Sequence, residues 1–374
     1  MNAEIPQQGE LVSSAVSAAP VERELSLQFV GNPKDYFRVW VVNLSLTLLT
    51  LGVFSAWAKV RKKRYFYSHT LLDGTPLQYT AQPIPILKGR LLASGLFLIY
   101  YFSEHLLVAA LPFVLGIGLL LLPWVIARSA AFNARYSSFR NMTPTFDGTY
   151  REAFVAAFKV PAIPLFVGFS ILAAIVSFDR PGFIAAMGAA AGLAGLFFPA
   201  WIRDQRQFVV TNTSFGGRRG EFDATRGAFF RRYFVAGVFG ALFAIPLFVL
   251  TIWIPRTGHL ATFITYTSYV IMFAYVQAGT GNLVWNGLRV GGLRFRSNLK
   301  ATHLLWLYLS NAVAIVTSLG LLTPWAVMRT LHYRIGCLTP VLRGDWGKFQ
   351  GSSSSTVAAG GSEAGEFFDL DFSL

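Results

Sequence analysis

Eight apolar runs of about the length that crosses a bilayer dominate the sequence. A membrane-spanning helix needs about 20 mostly apolar residues, with a range of about 17 to 25. The runs cover 36–58, 91–110, 112–127, 153–176, 183–202, 233–254, 260–279 and 303–326. Only 13% of the residues are charged, against roughly 25% in soluble proteins. We therefore predict an all-α polytopic membrane protein with about eight transmembrane helices.

Lys and Arg concentrate in alternate connections between these runs. Seven lie in 58–90, four in 127–152, seven in 202–232 and four in 280–301, whereas the other connections hold at most one each. This alternation follows the positive-inside rule and predicts that the four basic connections are cytoplasmic. It accounts for most of the formal net charge of +14, so nucleic acid is not an expected partner.

Each basic connection also contains a turn of Gly, Asn, Asp or Pro between short segments of alternating polarity. Such turns are typical of β-hairpins. We expect short β-hairpins on the cytoplasmic side of the membrane, joined into a sheet.

The stretch TLGVFSAWAKVRKKRYFY, residues 50–67, returns as SLGLLTPWAVMRTLHYR, residues 318–334, at a constant offset of 268. The matched pairs are Asn43 with Asn311, Gly52 with Gly320, Trp57 with Trp325, Arg61 with Arg329 and Tyr65 with Tyr333. A weaker copy keeps Trp124, Arg128 and Phe132 at the same spacing, and two further copies are degenerate. Such internal repeats are common in transporters. We predict a repeat-built transmembrane domain over 25–349.

The repeated Trp, Arg and Tyr follow one another at spacings of four, on one face of a helix. Trp prefers the headgroup level of a membrane, and an Arg one turn further on can extend to lipid phosphate. We interpret the set as membrane-interface anchors: Trp57, Arg61, Tyr65, Trp124, Arg128, Trp325, Arg329 and Tyr333. The alternative is a specific site for an anionic ligand or lipid at the three Arg residues.

Other candidates lie within the apolar runs. Asn43 and Asn311 sit near mid-helix, where an amide forms an interhelical hydrogen bond or, alternatively, coordinates a substrate. Gly52 and Gly320 are expected at a chain break or a close helix approach, since they lack a Cβ. Lys159 lies about one turn into its run and is expected to extend to the interface, with a ligand role as the alternative.

The terminal copies leave the topology open. Runs 36–58 and 303–326 each suffice for one crossing, which by parity would place the basic C-terminal segment outside. Alternatively, both dip into the membrane and return, with breaks at Leu51-Gly52 and Leu319-Gly320. We favour a cytoplasmic C-terminus because four basic residues follow the last run.

The two ends differ from the apolar part of the chain. Residues 1–24 are rich in Ala, Ser, Val and Glu without a period, so we expect a disordered tail. No basic segment followed by an apolar core begins the chain, and we expect no cleavable signal peptide. Residues 350–374 are expected to form a flexible linker and an acidic, aromatic tail, EFFDLDFSL. The hypothesis is that this tail docks on the surface hairpins, and the alternative is an ordinary disordered end.

Three segments carry a family resemblance: YFRVWVVNLSLTLLTLGVFSAWAKVRKKRYFYSHTLLDGTPLQY, NAVAIVTSLGLLTPWAVMRTLHYR and the terminal FFDLDFSL. Together they resemble the YjgN-like bacterial inner-membrane family, a domain of unknown function. The resemblance implies a multi-pass protein of the bacterial inner membrane. It transfers no activity or catalytic residue. The chain departs from the family pattern at Thr75-Pro76-Leu77 and in the degenerate third copy.

No catalytic or metal-binding motif occurs, so we expect no enzyme activity and no cofactor. Two classes of function remain. The first is a transporter or channel for an unknown solute, suggested by repeats and kinked helices. The second is a non-transporting scaffold that binds lipids or protein partners through its hairpins and acidic tail. The expected partners are the lipid bilayer, anionic phospholipid headgroups and an unknown solute or protein; the oligomeric state stays open.

Overall fold

A computed structural model describes residues 22–106, 111–159, 180–254, 256, 258–290 and 292–343. Its helices are α1 Pro33–Leu49, α2 Ser55–Ser68, α3 Pro83–Leu106, α4 Leu111–Tyr136, α5 Tyr150–Phe158, α6 Arg180–Thr211, α7 Arg226–Trp253, α8 Gly258–Gly287, α9 Ala301–Thr317 and α10 Thr323–Gly336. Its strands are β1 Glu22–Glu24, β2 Leu27–Phe29, β3 Thr70–Leu72, β4 Thr75–Pro76, β5 Gln78–Tyr79, β6 Ser137–Ser138, β7 Thr145–Phe146, β8 Thr213–Phe215, β9 Arg218–Arg219, β10 Glu221–Phe222, β11 Leu288–Val290, β12 Leu293–Ser297 and β13 Leu338–Arg343.

These elements follow a constant order: a strand leads into two helices, and a second strand leads out. The two strands pair antiparallel each time, as β2 with β3, β5 with β6, β7 with β8, β10 with β11 and β12 with β13. We call the five strand–helix–helix–strand segments units 1 to 5 in chain order. In unit 3 the two helices, α5 and α6, are separated by residues 160–179, which lie outside the described residues.

One backbone hydrogen bond recurs at the base of every unit, between the residue after the incoming strand and the end of the second helix. The bonds run from Val30 N to His69 O (2.9 Å), Thr80 N to Tyr136 O (3.0 Å), Asp147 N to Asn212 O (3.0 Å), Asp223 N to Gly287 O (2.9 Å) and Asn298 N to Cys337 O (3.1 Å). The fourth residue of each first helix is at most 3% exposed: Tyr36, Ile86, Ala153, Phe229 and Leu304. Counting from these bonds therefore gives equivalent positions in the five units.

Tight turns join one unit to the next. Two consecutive residues have positive φ at each of three turns, as at Asp73 (49°) and Gly74 (74°). The other two are Arg140-Asn141 and Gly216-Gly217. Positive φ at both central residues defines the type I′ turn, which Gly, Asn and Asp tolerate best. These turns hold β3 against β4 and β8 against β9.

The units close into a ring. Each helix packs against the next along the chain, and α10 packs back against α1. The first and last described strands also meet, because β1 pairs with β13, with Arg23 opposite Leu342. The predicted disordered tail of residues 1–24 therefore overlaps a strand at Glu22–Glu24; residues 1–21 lie outside the described residues.

Apolar clusters lie at the junctions between units. Phe29, Tyr36 and Phe66 of unit 1 pack against Met328 and Ile335 of unit 5. Similar clusters lie between units 1 and 2, 2 and 3, 3 and 4, and 4 and 5. A sixth cluster joins strand and turn residues from around the ring, namely Leu25, Leu72, Phe139, Phe215, Leu293 and Leu342. An apolar plug thus fills the place where the sheets meet.

Four helices of the described part are long and apolar enough to cross a membrane, over Pro83–Phe102, Gly116–Tyr136, Arg226–Thr251 and Gly258–Gly287. They correspond to the predicted runs 91–110, 112–127, 233–254 and 260–279. Run 183–202 falls within α6, and most of run 153–176 lies outside the described residues. Runs 36–58 and 303–326 are not continuous helices, since a turn divides each into two. The number of eight spans therefore stays a prediction.

Candidate functional site

Units 1 and 5 each contain a short helical hairpin, whose first helix has 17 residues and whose second helix has 14. The turn residues Leu51 (φ 48°) and Gly52 (93°) have positive φ, as do Leu319 (51°) and Gly320 (90°). No atom lies within 4 Å of the Cβ that would be added at either glycine. The structure thus places both glycines in the turn between two helices. Close packing, the other predicted role, does not occur there.

The tip of each hairpin is apolar and exposed. Leu51 is 96% exposed and Leu319 is 94% exposed. The flanking residues Leu48, Leu49, Val53, Val316, Leu321 and Leu322 are exposed as well. Apolar side chains that project this far have no partner among the described residues, which is the arrangement expected of a tip surrounded by lipid.

The two predicted tyrosine anchors close the bases of the hairpins. The Tyr65 hydroxyl accepts a hydrogen bond from Asn32 N (3.0 Å) and donates one to Asn32 O (2.9 Å). The Tyr333 hydroxyl accepts from Lys300 N (2.9 Å) and donates to Lys300 O (3.4 Å). Both hydroxyls therefore join the second helix to the start of the first. Whether their rings also contact lipid stays a prediction.

The paired asparagines join the two helices at mid-length. Asn43 Nδ2 donates to Ala58 O at 3.5 Å, and Asn311 Nδ2 donates to Ala326 O at 3.2 Å. Asn311 has a fuller set of partners, because Nδ2 also donates to Thr330 Oγ1 (3.0 Å). Asn43 Oδ1 is buried without a hydrogen-bond partner. The geometry matches the interhelical role and gives no direct support to substrate coordination.

The equivalent arginines differ between units 1 and 5. Arg329 Nη1 donates to Ser310 Oγ (2.6 Å) and Asn311 Oδ1 (3.3 Å), and its guanidinium lies 5.2 Å from the Trp325 ring centre. Val42 replaces Ser310 in unit 1. The exposed Arg61 accordingly lies over Phe54, at 5.5 Å from the ring centre, and forms no hydrogen bond or ion pair with another described residue.

Arg128 in unit 2 resembles Arg61. It is exposed, and its guanidinium lies 6.0 Å from the ring centre of Trp124, one turn earlier on α4. It also has no hydrogen bond or ion pair with the described residues. In unit 1 the ring of Trp57 stacks on Phe54 at 6.0 Å. Units 1 and 2 thus share an exposed cation held against an aromatic ring, with its polar groups available to a ligand.

A second basic surface lies on the opposite face of α2. Lys59 and Lys63 are 8% and 9% exposed. They share their face with Phe66, which contacts Met328 and Ile335 of α10 in the neighbouring unit 5. That contact reaches past α1, so this face of α2 points to the inside of the ring. Lys63 Nζ lies 5.4 Å from the ring centre of Tyr79 in β5.

Unit 3 carries polar groups that sequence reasoning did not select. Asp204 is 8% exposed and takes the place of the Arg found in units 1, 2 and 5. Its carboxylate accepts from Arg226 Nη2 (2.6 Å) and Nε (3.1 Å), and from Arg203 Nη1 (3.1 Å). The break in the Arg pattern was the available signal. The ion pair between Asp204 and Arg226 joins α6 to the first residue of α7 and so connects unit 3 to unit 4.

Two neighbours of Asp204 also stand out, and one of them, Arg206, faces inward by its position. Arg206 stands six residues before the carbonyl acceptor Asn212, just as Lys63 stands six before His69. Gln205 is 1% exposed, and neither Oε1 nor Nε2 has a hydrogen-bond partner. An unpaired buried amide costs about 1–3 kcal/mol. Such a residue is retained more readily where a polar ligand completes its bonding.

The remaining candidate, Lys159, caps the C-terminal end of α5 and has an exposed side chain. It lies apart from the basic positions of the second helices, at the last residue before a gap in the described chain. No three His, Cys, Asp or Glu side chains of the described residues are grouped so that they could hold a metal ion.

Over residues 24–367 the chain matches the family described as "Bacterial protein of unknown function (DUF898)". The chain belongs to this family. The inner membrane protein YjgN of Salmonella typhimurium (strain LT2) is 25% identical over 342 residues, which cover 80% of this chain and 84% of that protein. The YjgN proteins of Escherichia coli O157:H7 and K12 are 30% and 31% identical, over 37% and 30% of this chain and 35% and 28% of those proteins. No solved structure matches.

Membership of the family and the relatives together place the protein in the bacterial inner membrane. The apolar helices agree with that location, since four described helices could cross a bilayer. The family match continues to residue 367, well past the last strand, which ends at Arg343. The segment from 344 to 367 therefore belongs to the part of the chain that matches the family.

Proposed function

We propose that the protein is a membrane scaffold that binds anionic phospholipid headgroups, with Arg61 and Arg128 as the main contacts. The observation that carries the proposal is the contrast between these two arginines and Arg329. Arg329 donates hydrogen bonds to the side chains of Ser310 and Asn311. Arg61 and Arg128 are exposed, have no such partners and lie against aromatic rings.

The depth of these arginines suits a phosphate ligand. Arg61 lies eight residues before His69, and Arg128 lies eight before Tyr136, so both stand about 12 Å from the sheets at 1.5 Å per residue. The equivalent position in unit 4 is Gly279, where the predicted apolar run 260–279 ends. Both cations therefore fall at the edge of the hydrocarbon, where guanidinium groups meet lipid phosphate.

The proposal includes an origin for the fold by internal repetition. The same strand pairing, the same basal hydrogen bond and the same buried position in the first helix support a fivefold repeat of one unit. In this account units 2 and 4 carry full-length helix pairs, the predicted runs 153–176 and 183–202 supply the two crossings of unit 3, and units 1 and 5 carry shortened pairs.

We further propose that the two short hairpins enter the membrane and return. A helix of 17 residues is about 25 Å long. About 12 Å of that length lies between the sheets and the level of Arg61, and the rest lies deeper in the membrane. The tips at Leu51 and Leu319 would then lie near the middle of a hydrocarbon layer of about 30 Å. This arrangement gives six crossing helices and two half-length hairpins, in place of the eight crossings expected from the sequence.

The same arrangement puts all the described sheets on one side, including the first strand, β1, and the last, β13. That side is the cytoplasm by the positive-inside rule, because the basic connections join the units there. The parity problem of the terminal copies disappears, since a hairpin that returns adds no crossing. Catalysis is no part of this proposal.

Transport of a lipid or other amphiphile is the second candidate. It is favoured by the short hairpins, because units 1 and 5 would then contribute no helix to the outer leaflet and the ring would be open to lipid there. Two observations weigh against a water-filled path. The apolar plug of strand residues fills the meeting point of the units. On α8 the hydroxyls of Thr262, Thr267 and Ser268 donate to carbonyls of their own helix.

Lipid titration with native mass spectrometry tests the proposal. The purified protein is titrated with phosphatidylglycerol, and retained lipids are counted for Arg61→Gln, Arg128→Gln and Arg329→Gln. A basic residue near an anionic surface contributes about 1 kcal/mol, so the first two variants should bind about fivefold more weakly. Arg329→Gln should bind like the unchanged protein. Equal retention by all variants would refute headgroup binding at these residues.

A lipid-flipping assay separates the scaffold from the transporter. Proteoliposomes carry a fluorescent phosphatidylglycerol in both leaflets, and a membrane-impermeant reductant bleaches the outer one. The scaffold proposal predicts bleaching of about half of the dye, as in protein-free liposomes with equal leaflets. Bleaching well beyond that, reduced by Arg61→Gln, would instead establish lipid transport.

A further inference from the structure

The inside of the ring carries a basic surface near the sheets. Lys59 and Lys63 lie one turn apart on the inner face of α2, both buried. Arg206 occupies the position on α6 that matches Lys63. Gln205, beside it, keeps a fully buried amide without a partner. A cationic surface of this kind suits a ligand that carries carboxylates.

Aromatic side chains border this surface on the sheet side. Lys63 lies over Tyr79, and Tyr79 is in ring contact with Tyr67 at 5.3 Å. Phe139 and Phe215 belong to the apolar plug where the sheets meet. A ligand that fits the whole region therefore combines carboxylates with apolar or aromatic groups.

The protein's own C-terminal segment has this chemistry. Residues 366–372 read EFFDLDF, with three carboxylates among four apolar side chains. In an extended chain Asp369 and Asp371 project from one side, while Leu370 and Phe372 project from the other. One side would suit the lysines, and the other would suit the aromatic border.

The segment that leads to these residues begins beside the apolar plug. β13 ends at Arg343, and the preceding Leu342 packs in the same plug as Phe139 and Phe215. About 23 residues lead from there to Glu366, and a Gly/Ser-rich linker of that length spans roughly 26 Å on average. Tethering at this distance gives an effective concentration on the order of millimolar, at which a weak site is filled.

We propose that residues 366–372 dock on the basic inner surface of α2 and α6 and occupy the inside of the ring from the sheet side. The occupant is the tail of the same chain, held by its carboxylates against Lys59, Lys63 and Arg206. This proposal is independent of the lipid contacts of Arg61 and Arg128, which lie on the outer face of the ring. A docked tail makes the inside of the ring accessible only after the tail leaves.

Photo-crosslinking in the full-length protein tests the proposal. A benzophenone is attached at Ser373→Cys in a Cys337→Ser background, in lipid nanodiscs, and the crosslinked peptides are identified by mass spectrometry. The expected crosslinks fall on α2 and α6, between residues 55–68 and 200–211, and become fewer at high salt because docking is electrostatic. Crosslinks confined to lipid, to a second copy or to the outer loops would overturn the proposal.

Charge variants complete the experiment. Lys63→Gln and Arg206→Gln should each lower crosslinking about threefold, as expected for one lost ion pair. Lys62→Gln, an exposed neighbour with the same charge, is the matched control and should change nothing. The double variant Phe367→Ser, Phe368→Ser leaves the ring sequence intact and should also lower crosslinking. Equal crosslinking in Lys62→Gln and Lys63→Gln, or no effect of the tail variant, would contradict docking.

Discussion

The hydroxyl of Tyr65 exchanges two hydrogen bonds with the backbone of Asn32, at 3.0 Å from its N–H and 2.9 Å to its carbonyl oxygen. Tyr333 and Lys300 repeat this contact at 2.9 and 3.4 Å, 268 residues later. A tyrosine near the end of the second helix thus fixes where the first helix begins. The spacing that suggested a lipid anchor in the sequence also serves to close the base of a hairpin.

Removing these hydroxyls should destabilise the hairpins. Tyr65→Phe and Tyr333→Phe each leave the backbone of a helix start without its partner, at a cost of about 1 kcal/mol. We expect lower melting temperatures in detergent for both variants. Tyr266→Phe is the control, because Tyr266 is 70% exposed. Melting temperatures equal to the control would show that the ties contribute nothing.

Alanine at the hairpin turn should destabilise the protein, whereas alanine at a helical glycine should not. Gly52 has φ +93° with open space around it, so Gly52→Ala adds backbone strain of about 1–2 kcal/mol without a clash. Gly95 lies in α3 with similar open space but no positive φ, and Gly95→Ala should gain up to about 1 kcal/mol. The measurement is thermal unfolding of the two variants, and changes of the same sign would contradict the account.

Much of the fold follows from sequence patterns, while its closure does not. The apolar runs predict the helices, and Asp73-Gly74 predicts a tight turn between β3 and β4. The break at Gly52 was foreseen as one of two alternatives. Pairing of β1 with β13 was not foreseen, because strand partners so far apart in the chain leave no local signal. Neither was the ring, which depends on contacts between α1 and α10.

Asp204 should be a stability determinant at the junction of units 3 and 4. Asp204→Asn keeps the shape but removes the charge that faces Arg226 and Arg203. Since Arg226 is half exposed, we expect a loss of about 1–2 kcal/mol, less than for a fully buried pair. The exposed Asp147→Asn, which removes a charge elsewhere on the ring, is the control. An unchanged midpoint of unfolding for Asp204→Asn would rule out this role.

The candidate site was only partly accessible from the sequence. Arg61, Arg128 and Arg329 could be selected by their spacing from Trp. The different bonding of these arginines could not be predicted from the sequence. It depends on Ser310, which accepts a hydrogen bond from Arg329, whereas the equivalent residue in unit 1 is Val42. The inner face of α2 was also missed: Lys59 and Lys63 look like members of one basic run until the ring shows which side is buried.

Closure of the ring should weaken in acid. The hydrogen bond and charge of Arg343 hold the pKa of Glu22 below its usual 4.5, with smaller contributions from Arg294 and Arg296. A lowered carboxyl pKa stabilises the fold above about 4.5, and this contribution is lost as pH falls through the folded-state value. The protection factor for hydrogen exchange at β1, which corrects for the slower intrinsic exchange in acid, should therefore fall below pH 4.5. In Glu22→Gln the protection factor should already be low at neutral pH and should not fall further in acid; a protection factor with the same acid dependence as in the unchanged protein would exclude Glu22.

The central claim is that the first hairpin enters and leaves the membrane on the cytoplasmic side, and the sidedness of its two ends tests it. Val30 and Ser68 are exposed at the start and end of the hairpin. Each is replaced by Cys in a Cys337→Ser background and treated with an impermeant thiol reagent, with Gly258→Cys as the control for the opposite side. The account predicts that both positions react in inverted membrane vesicles and neither reacts in spheroplasts. Reaction of Val30→Cys and Ser68→Cys from opposite sides would show that the segment crosses the membrane, and the account would be wrong.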